Sequence, residues 1–151
     1  VPSTSPQNQD FTGAARRHYA DAVYLHDDGR LPNADHHYGF AVECALKSVL
    51  LTFLNATLAG NGKPSTSGPE GTKQYGHLPG LWADVRILLR GRSGSALMTA
   101  LNAAEPFGTW DVTHHYHGNP PLSATIMSER KTAAHLILAL HEQALINGVL
   151  Q

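Results

Sequence analysis

Between Ala34 and Leu58 the apolar residues Ala34, Tyr38, Ala41, Val42, Ala45, Leu46, Val49, Leu50, Phe53, Leu54 and Leu58 recur at three- and four-residue steps. That spacing keeps them on one stripe of a helix for about seven turns at 3.6 residues each. Pro32 suits the first turn of such a helix, where its missing N–H costs nothing. A stripe this long has to be covered, so the rest of the chain is expected to pack around this element as a central helix.

The flanking segments carry the same period. Asp10 is an oxygen-bearing cap for a helix through Phe11, Ala14, Ala15, Tyr19, Ala22 and Val23, which Asp27-Asp28-Gly29 stops. Helical pattern returns from Leu78 to Gly91, again from Ser95 to Ala104 with Ser95 as the cap, and finally from Leu122 or Ser123 to a stop at Asn147-Gly148. Glu105-Pro106 closes the Ser95–Ala104 helix, and residues 107–121 read as irregular, with Trp110 and Tyr116 packing inward. Residues 60–76 are rich in Gly, Pro, Ser and Thr and read as a long mobile loop. No segment alternates apolar and polar residues for long, and no strand-turn-strand signal separates two β-branched runs. The expected fold is all-α, an antiparallel bundle of four or five helices with short connections.

Composition sets the boundaries of function. At 151 residues and 42% hydrophobic, residues 10–151 are expected to form one domain with a core of its own, behind a polar, disordered tail over residues 1–9. The tail lacks the basic and apolar regions of a secretory signal. The longest stretch without charge in the apolar middle, Ser48 to Gly62, holds Thr52, Asn55, Thr57 and Asn61 and falls short of the ~20 apolar residues that span a bilayer. One cysteine, Cys44, leaves no internal disulfide, and a formal charge of -1 gives no bulk attraction to nucleic acid or to an anionic membrane. A cytoplasmic protein without membrane association is expected.

Residues 11–58 resemble the first two helices of HEPN domains, the nucleotide-associated helical family of higher eukaryotes and prokaryotes. The resemblance rests on an Ala-rich second helix carrying Glu, three residues, then Lys: Tyr38-Gly39-Phe40-Ala41-Val42-Glu43-Cys44-Ala45-Leu46-Lys47. It extends to Gly76-His77-Leu78, where the family often has His-Asp-Leu, and to Trp110-Asp111-Val112-Thr113-His114-His115-Tyr116, which is similar to its Tyr-rich stretch. It implies a HEPN-like helical bundle, also like the substrate-binding domains of nucleotidyltransferases. Such a domain would form homodimers, associate with RNA or nucleotide and work beside a nucleotidyltransferase or an antitoxin. No cofactor is implied.

Cleaving members of the family use an Arg, four to six residues and a His, with the sites of two protomers facing one another and no metal. Arg130-Lys131-Thr132-Ala133-Ala134-His135 fits that spacing, which implies Arg130 as phosphate clamp and His135 as general acid/base of a metal-independent endoribonuclease or toxin-type component. Lys131 stands where the family prefers Asn, Asp or His, and His115 where it often has Arg, so the implied site is degenerate. On one helix, five steps also set the two side chains roughly 140° apart. The bland reading makes Arg130 a solvated helix residue and His135 a half-buried one.

Ligand-binding candidates come from charge and histidine clustering. Glu43 and Lys47, four residues apart, can pair on the second helix or face a cleft beside His36 and His37. Asp111, His114, His115, Tyr116 and His117 form the densest group among ten histidines and could take an anionic ligand. Histidine and carboxylate also suit a borderline metal, but no helical pair of histidines three or four apart appears, and no metal residues are assigned. Two other readings stay open: a non-catalytic protein-interaction scaffold using residues 107–121 for recognition, and a small-ligand pocket between the second and last helices.

Overall fold

The computed structural model describes residues 10–91, 95–116, 118 and 122–150. The tail over residues 1–9 and His117 lie outside the described residues, as does the side chain of His115. The chain is mostly helical: α1 (Phe11–Asp27), α2 (Leu31–Phe53), α3 (Gly80–Leu88), α4 (Ala96–Ala103) and α5 (Ala124–Asn147). Single 3-10 turns follow at Leu89–Gly91 and Val112–Tyr116. No helix among the described residues is long and apolar enough to cross a membrane.

The caps behave as side-chain chemistry requires. Asp10, Ser95 and Ser123 accept hydrogen bonds from the N–H groups of Gly13, Met98 and Ile126 at 2.8, 2.9 and 3.1 Å. Each satisfies a donor that the first turn of its helix leaves free. Gly148 ends α5 in the left-handed region at φ 73°, where a glycine meets no Cβ penalty. Gly29, at φ 76°, turns the chain so that α2 runs back along α1.

The core sits around α2, whose residues 41–50 are all buried. Ala15 and Ala22 of α1, both without exposed surface, bring the two helix backbones close. Leu81, Trp82 and Val85 of α3, Leu97 and Leu101 of α4, and Ala134, Ile137 and Leu138 of α5 complete the apolar interior. The Trp82 indole N–H bonds the Leu101 carbonyl at 3.1 Å, tying α3 to the end of α4.

Two expectations are corrected. The central helix ends at Phe53 rather than Leu58, because Asn55 takes φ 61°, a conformation Asn tolerates, and the Ala56 N–H returns to the Leu50 carbonyl at 3.0 Å. The end of the expected second helix and the region read as a mobile loop together form a small three-stranded antiparallel sheet beside the five helices. Its strands are β1 (Thr57–Leu58), β2 (Pro64–Gly68) and β3 (Gly71–Gln74) in the order β1-β2-β3. Thr57 pairs with Ser65, Ser65 with Gln74, and Gly68 with Gly71 around a two-residue turn. These strands are polar on both faces, so apolar alternation does not announce them. What fixes them is the buried Tyr75, whose N–H bonds the Pro64 carbonyl at 2.9 Å and whose hydroxyl bonds Thr66 at 3.0 Å.

The segment before α5 is placed by one close approach. Trp110 lies flat against α2 at Gly39, where a Cβ would overlap the indole, and its N–H bonds the Asp35 carbonyl at 3.3 Å. Trp110 is buried as expected, whereas Tyr116 is 82% exposed and does not pack inward. Gly39→Ala is expected to lower unfolding free energy by about 1–3 kcal/mol, the usual cost of forcing atoms into a filled core. Urea denaturation checks this, and the Trp110 contribution to fluorescence should shift in the folded variant.

Candidate functional site

Arg130 is where sequence expectation and structure part most clearly. It projects from α5 into the interior at 2% exposure and spends its donors there. Nη1 bonds Asp35 Oδ2 at 2.8 Å, Nε bonds the Pro106 carbonyl at 3.0 Å, and Nη2 bonds Thr109 Oγ1 at 2.9 Å. The guanidinium also lies 5.9 Å from the Phe107 ring centre. One side chain thus joins α5 to α2 and to the chain before α5. Burial pushes the Asp35 carboxyl up, against the opposing pull of Arg130 and of His114. Arg130 is therefore neither a solvated helix residue nor, in this arrangement, a free phosphate clamp: a buried guanidinium needs its counter-charge more than an external anion does.

His135 stands on another face of α5, exposed, with Nδ1 2.9 Å from the Tyr19 hydroxyl of α1. The structure does not bring it to Arg130 within one chain. Its neighbours instead form a groove between α1 and α5 of about 270 Å³, lined by Arg16, Tyr19, His135, Leu138, Ala139 and Glu142. Arg16 closes one end with two bonds to the Glu142 carboxylate at 2.5 and 2.8 Å. That bidentate contact holds Glu142 below the usual carboxylate range. Partial burial raises the Tyr19 hydroxyl, so it stays protonated as a donor or acceptor at neutral pH. The groove therefore offers a cation, an imidazole held by a phenol, and an apolar floor at Leu138.

Glu43 and Lys47 pair as their spacing predicts, at 3.3 Å, but both are buried. The Glu43 carboxylate also bonds His77 Nδ1 at 3.1 Å and accepts the Leu78 N–H at 3.1 Å, while Lys47 Nζ lies 5.6 Å from the Phe11 ring centre. Helix α2 and the start of the chain leading to α3 are thereby joined through one carboxylate. The His77 side chain is 54% exposed and held at Nδ1 by an acidic partner. Cys44, beside this cluster, is pushed up to about 11 by burial and is no thiolate at neutral pH.

The histidines of the second helix split between two neighbours. His37 Nδ1 meets His18 Nδ1 of α1 at 3.0 Å, and burial lowers both imidazoles, so the neutral pair shares one proton between two nitrogens. His36 stacks on Trp110 with ring centres 5.7 Å apart and meets Phe40 edge-on at 4.6 Å. Asp111, exposed, caps the 3-10 turn that follows it, accepting from the Thr113 N–H and hydroxyl at 2.7 and 2.6 Å. Asp111, His114 and Tyr116 are thus a local turn whose His114 reaches the electrostatic field of Asp35. Among the described residues no three His, Cys, Asp or Glu side chains gather as a metal set.

Sequence reading missed Asp35, the tie of His77 to Glu43 and a chain from His141 through Ser48 to Thr12. The signal for Asp35 is a carboxylate one turn before Tyr38 on an apolar stripe, which demands a cation from elsewhere. Nothing local marks Ser48 or His141. Comparison with known protein families, with characterised proteins and with solved structures finds no match to this chain.

Because the ion pair is buried, removing one partner strands the other. Asp35→Ala or Arg130→Ala is expected to cost about 3–5 kcal/mol, and the double replacement Asp35→Leu with Arg130→Met is expected to recover much of it. A double-mutant cycle by chemical denaturation checks this, and additive losses would contradict the coupling.

Proposed function

We propose that this chain is a HEPN-like, dimerising helical module that associates with nucleotide or RNA without cleaving it through Arg130 and His135. The observation that carries this reading is the Arg130 network: a guanidinium that is 2% exposed and has each of its three nitrogens bonded, to Pro106, Asp35 and Thr109, is not open to a scissile phosphate. The HEPN-like part is supported by the convergence of the Glu43-to-Lys47 segment with His77-Leu78 on one carboxylate, since both segments carry the resemblance. Association is assigned to the groove between α1 and α5. There Arg16 can exchange Glu142 for a phosphate in the same bidentate geometry, with Tyr19 and His135 beside it.

A partner nucleotidyltransferase or an antitoxin fits the same reading as the protein that this module serves. The interaction-scaffold reading has its own support in the exposed Tyr116 at the surface of the segment before α5.

The test uses labelled single-stranded RNA and a nucleoside monophosphate with EDTA present. Expected results are intact RNA, saturable binding, at least about tenfold weaker binding by Arg16→Ala, the loss of a bidentate charge-assisted contact partly offset by the Glu142 bonds it replaces, and a dimer mass by light scattering. Cleavage that disappears in His135→Ala would overturn the non-cleaving part. Absence of all RNA and nucleotide binding would overturn the association and leave the scaffold reading.

A further inference from the structure

The C-terminal half of α5 is attached by a different kind of contact from its N-terminal half. Near the helix start, Arg130 is locked to Asp35 and to the segment before α5. Towards the end, His141 is 1% exposed and its Nε2 lies 2.8 Å from Ser48 Oγ of α2, which in turn lies 2.8 Å from Thr12 Oγ1 of α1. Among the described residues, Nδ1 of the same ring is buried without a hydrogen-bond partner. Ile137, Leu138 and Ala144 are the buried apolar residues of this half. A cavity of about 100 Å³ between α4 and the last turns is lined by Ala96, Leu97, Leu140, Gln143, Ala144 and Asn147 among others.

We infer that the half of α5 from His135 to Asn147 is an acid-released element: proton uptake at His141 undocks it from α1 and α2 while Arg130 keeps the first half in place. The neutral ring satisfies the chain when Nε2–H donates to Ser48 and the Ser48 hydroxyl donates to Thr12, leaving only a bare lone pair at Nδ1. A proton added at Nδ1 creates a buried N–H with no acceptor and a charge in an apolar setting, and both vanish if the helix lifts into water. The charged groups acting on His141 are Arg16 from α1, which opposes protonation, and Glu142 on its own helix, which favours it; Ser48 and Thr12 supply only hydroxyls.

The sign follows from linkage. Burial holds the docked imidazole below its ordinary value near 6.5, so the undocked form binds the proton more readily. Docking free energy is therefore complete above about pH 6.5 and declines as pH falls below it towards the docked value. Two neighbouring ties do not share this sensitivity. Glu142 is held low by Arg16 and stays ionised through the same window, and Asp35, raised by burial, has the opposite linkage sign, so acid does not favour undocking at the N-terminal half. His135, Leu138, Ala139 and Glu142 all lie on the releasable half, so the groove between α1 and α5 exists only in the docked form. The inference stands independently of what the groove binds.

Hydrogen exchange by mass spectrometry at pH 7.5 and 5.0, corrected for intrinsic exchange, tests it on the whole chain. Amides of residues 136–147 are expected to exchange at least tenfold faster at pH 5.0, while those of residues 128–132 keep their protection; any acid response of α1 and α2 through the His18–His37 pair should persist in His141→Gln. His141→Gln, which can still donate to Ser48 but cannot titrate, is expected to abolish the acceleration. If that variant does not fold, NMR titration of His141 in the wild-type protein decides: its midpoint should lie below 6.5 and coincide with the α5 change. Equal protection at both pH values, loss at residues 128–132 together with 136–147, an unaltered acid response of residues 136–147 in His141→Gln, or a His141 midpoint away from the exchange transition would each overturn the inference.

Discussion

A guanidinium without exposed surface to speak of must be matched by an anion and by enough acceptors, and in this chain that requirement is met at a single point by Asp35, Pro106 and Thr109 around Arg130. Three otherwise separate parts, α2, the segment before α5, and α5 itself, meet there. The Trp110 indole seals the same corner by lying on Gly39 and bonding the Asp35 carbonyl, so the ion pair is shielded from water by the element that it positions. Shielding strengthens the attraction and also makes either partner costly to lose, which is why this corner behaves as one unit.

Elsewhere α2 is held by small residues and by hydrogen bonds rather than by bulk. Ala15 and Ala22 let α1 approach closely enough for Thr12 to reach Ser48 and for His18 to reach His37. Close helix packing and buried polar contacts depend on one another here, since a larger residue in place of either alanine would separate the partners. Many of these polar contacts use histidine, and their tautomers are fixed by what each ring faces rather than by the backbone. The groove between α1 and α5 inherits this character, with a guanidinium, a phenol and an imidazole at the surface above an apolar floor.

Much of the helical architecture is legible in the residues that build it. Asp10, Ser95 and Ser123 mark helix starts because their oxygens reach backbone N–H groups within the next turn, and Gly29 and Gly148 mark turns because only a few residues accept positive φ. The pairing of Glu43 with Lys47 is likewise a one-turn event. The sheet was not legible, because Ser, Thr, Lys and Gln on both faces of β2 and β3 leave no alternation to read, and its anchor Tyr75 acts from outside the strands. Of the site, Arg130 and His135 were found as residues but not as neighbours, and Asp35, the partner that decides the role of Arg130, lies 95 positions away in the chain.

The amino-acid sequence by itself determined the central helix, most of the helix limits and the presence of one apolar core, since these follow from period, capping and turn chemistry within a few residues. Only the tertiary structure decided which charges are buried together, that Arg130 faces inward while His135 faces a groove, and that His77 and Leu78 share the Glu43 carboxylate. The physical reason is range. Backbone preference is set by neighbours in the chain, whereas the role of an ionisable side chain is set by burial and by partners that arrive only when distant helices pack.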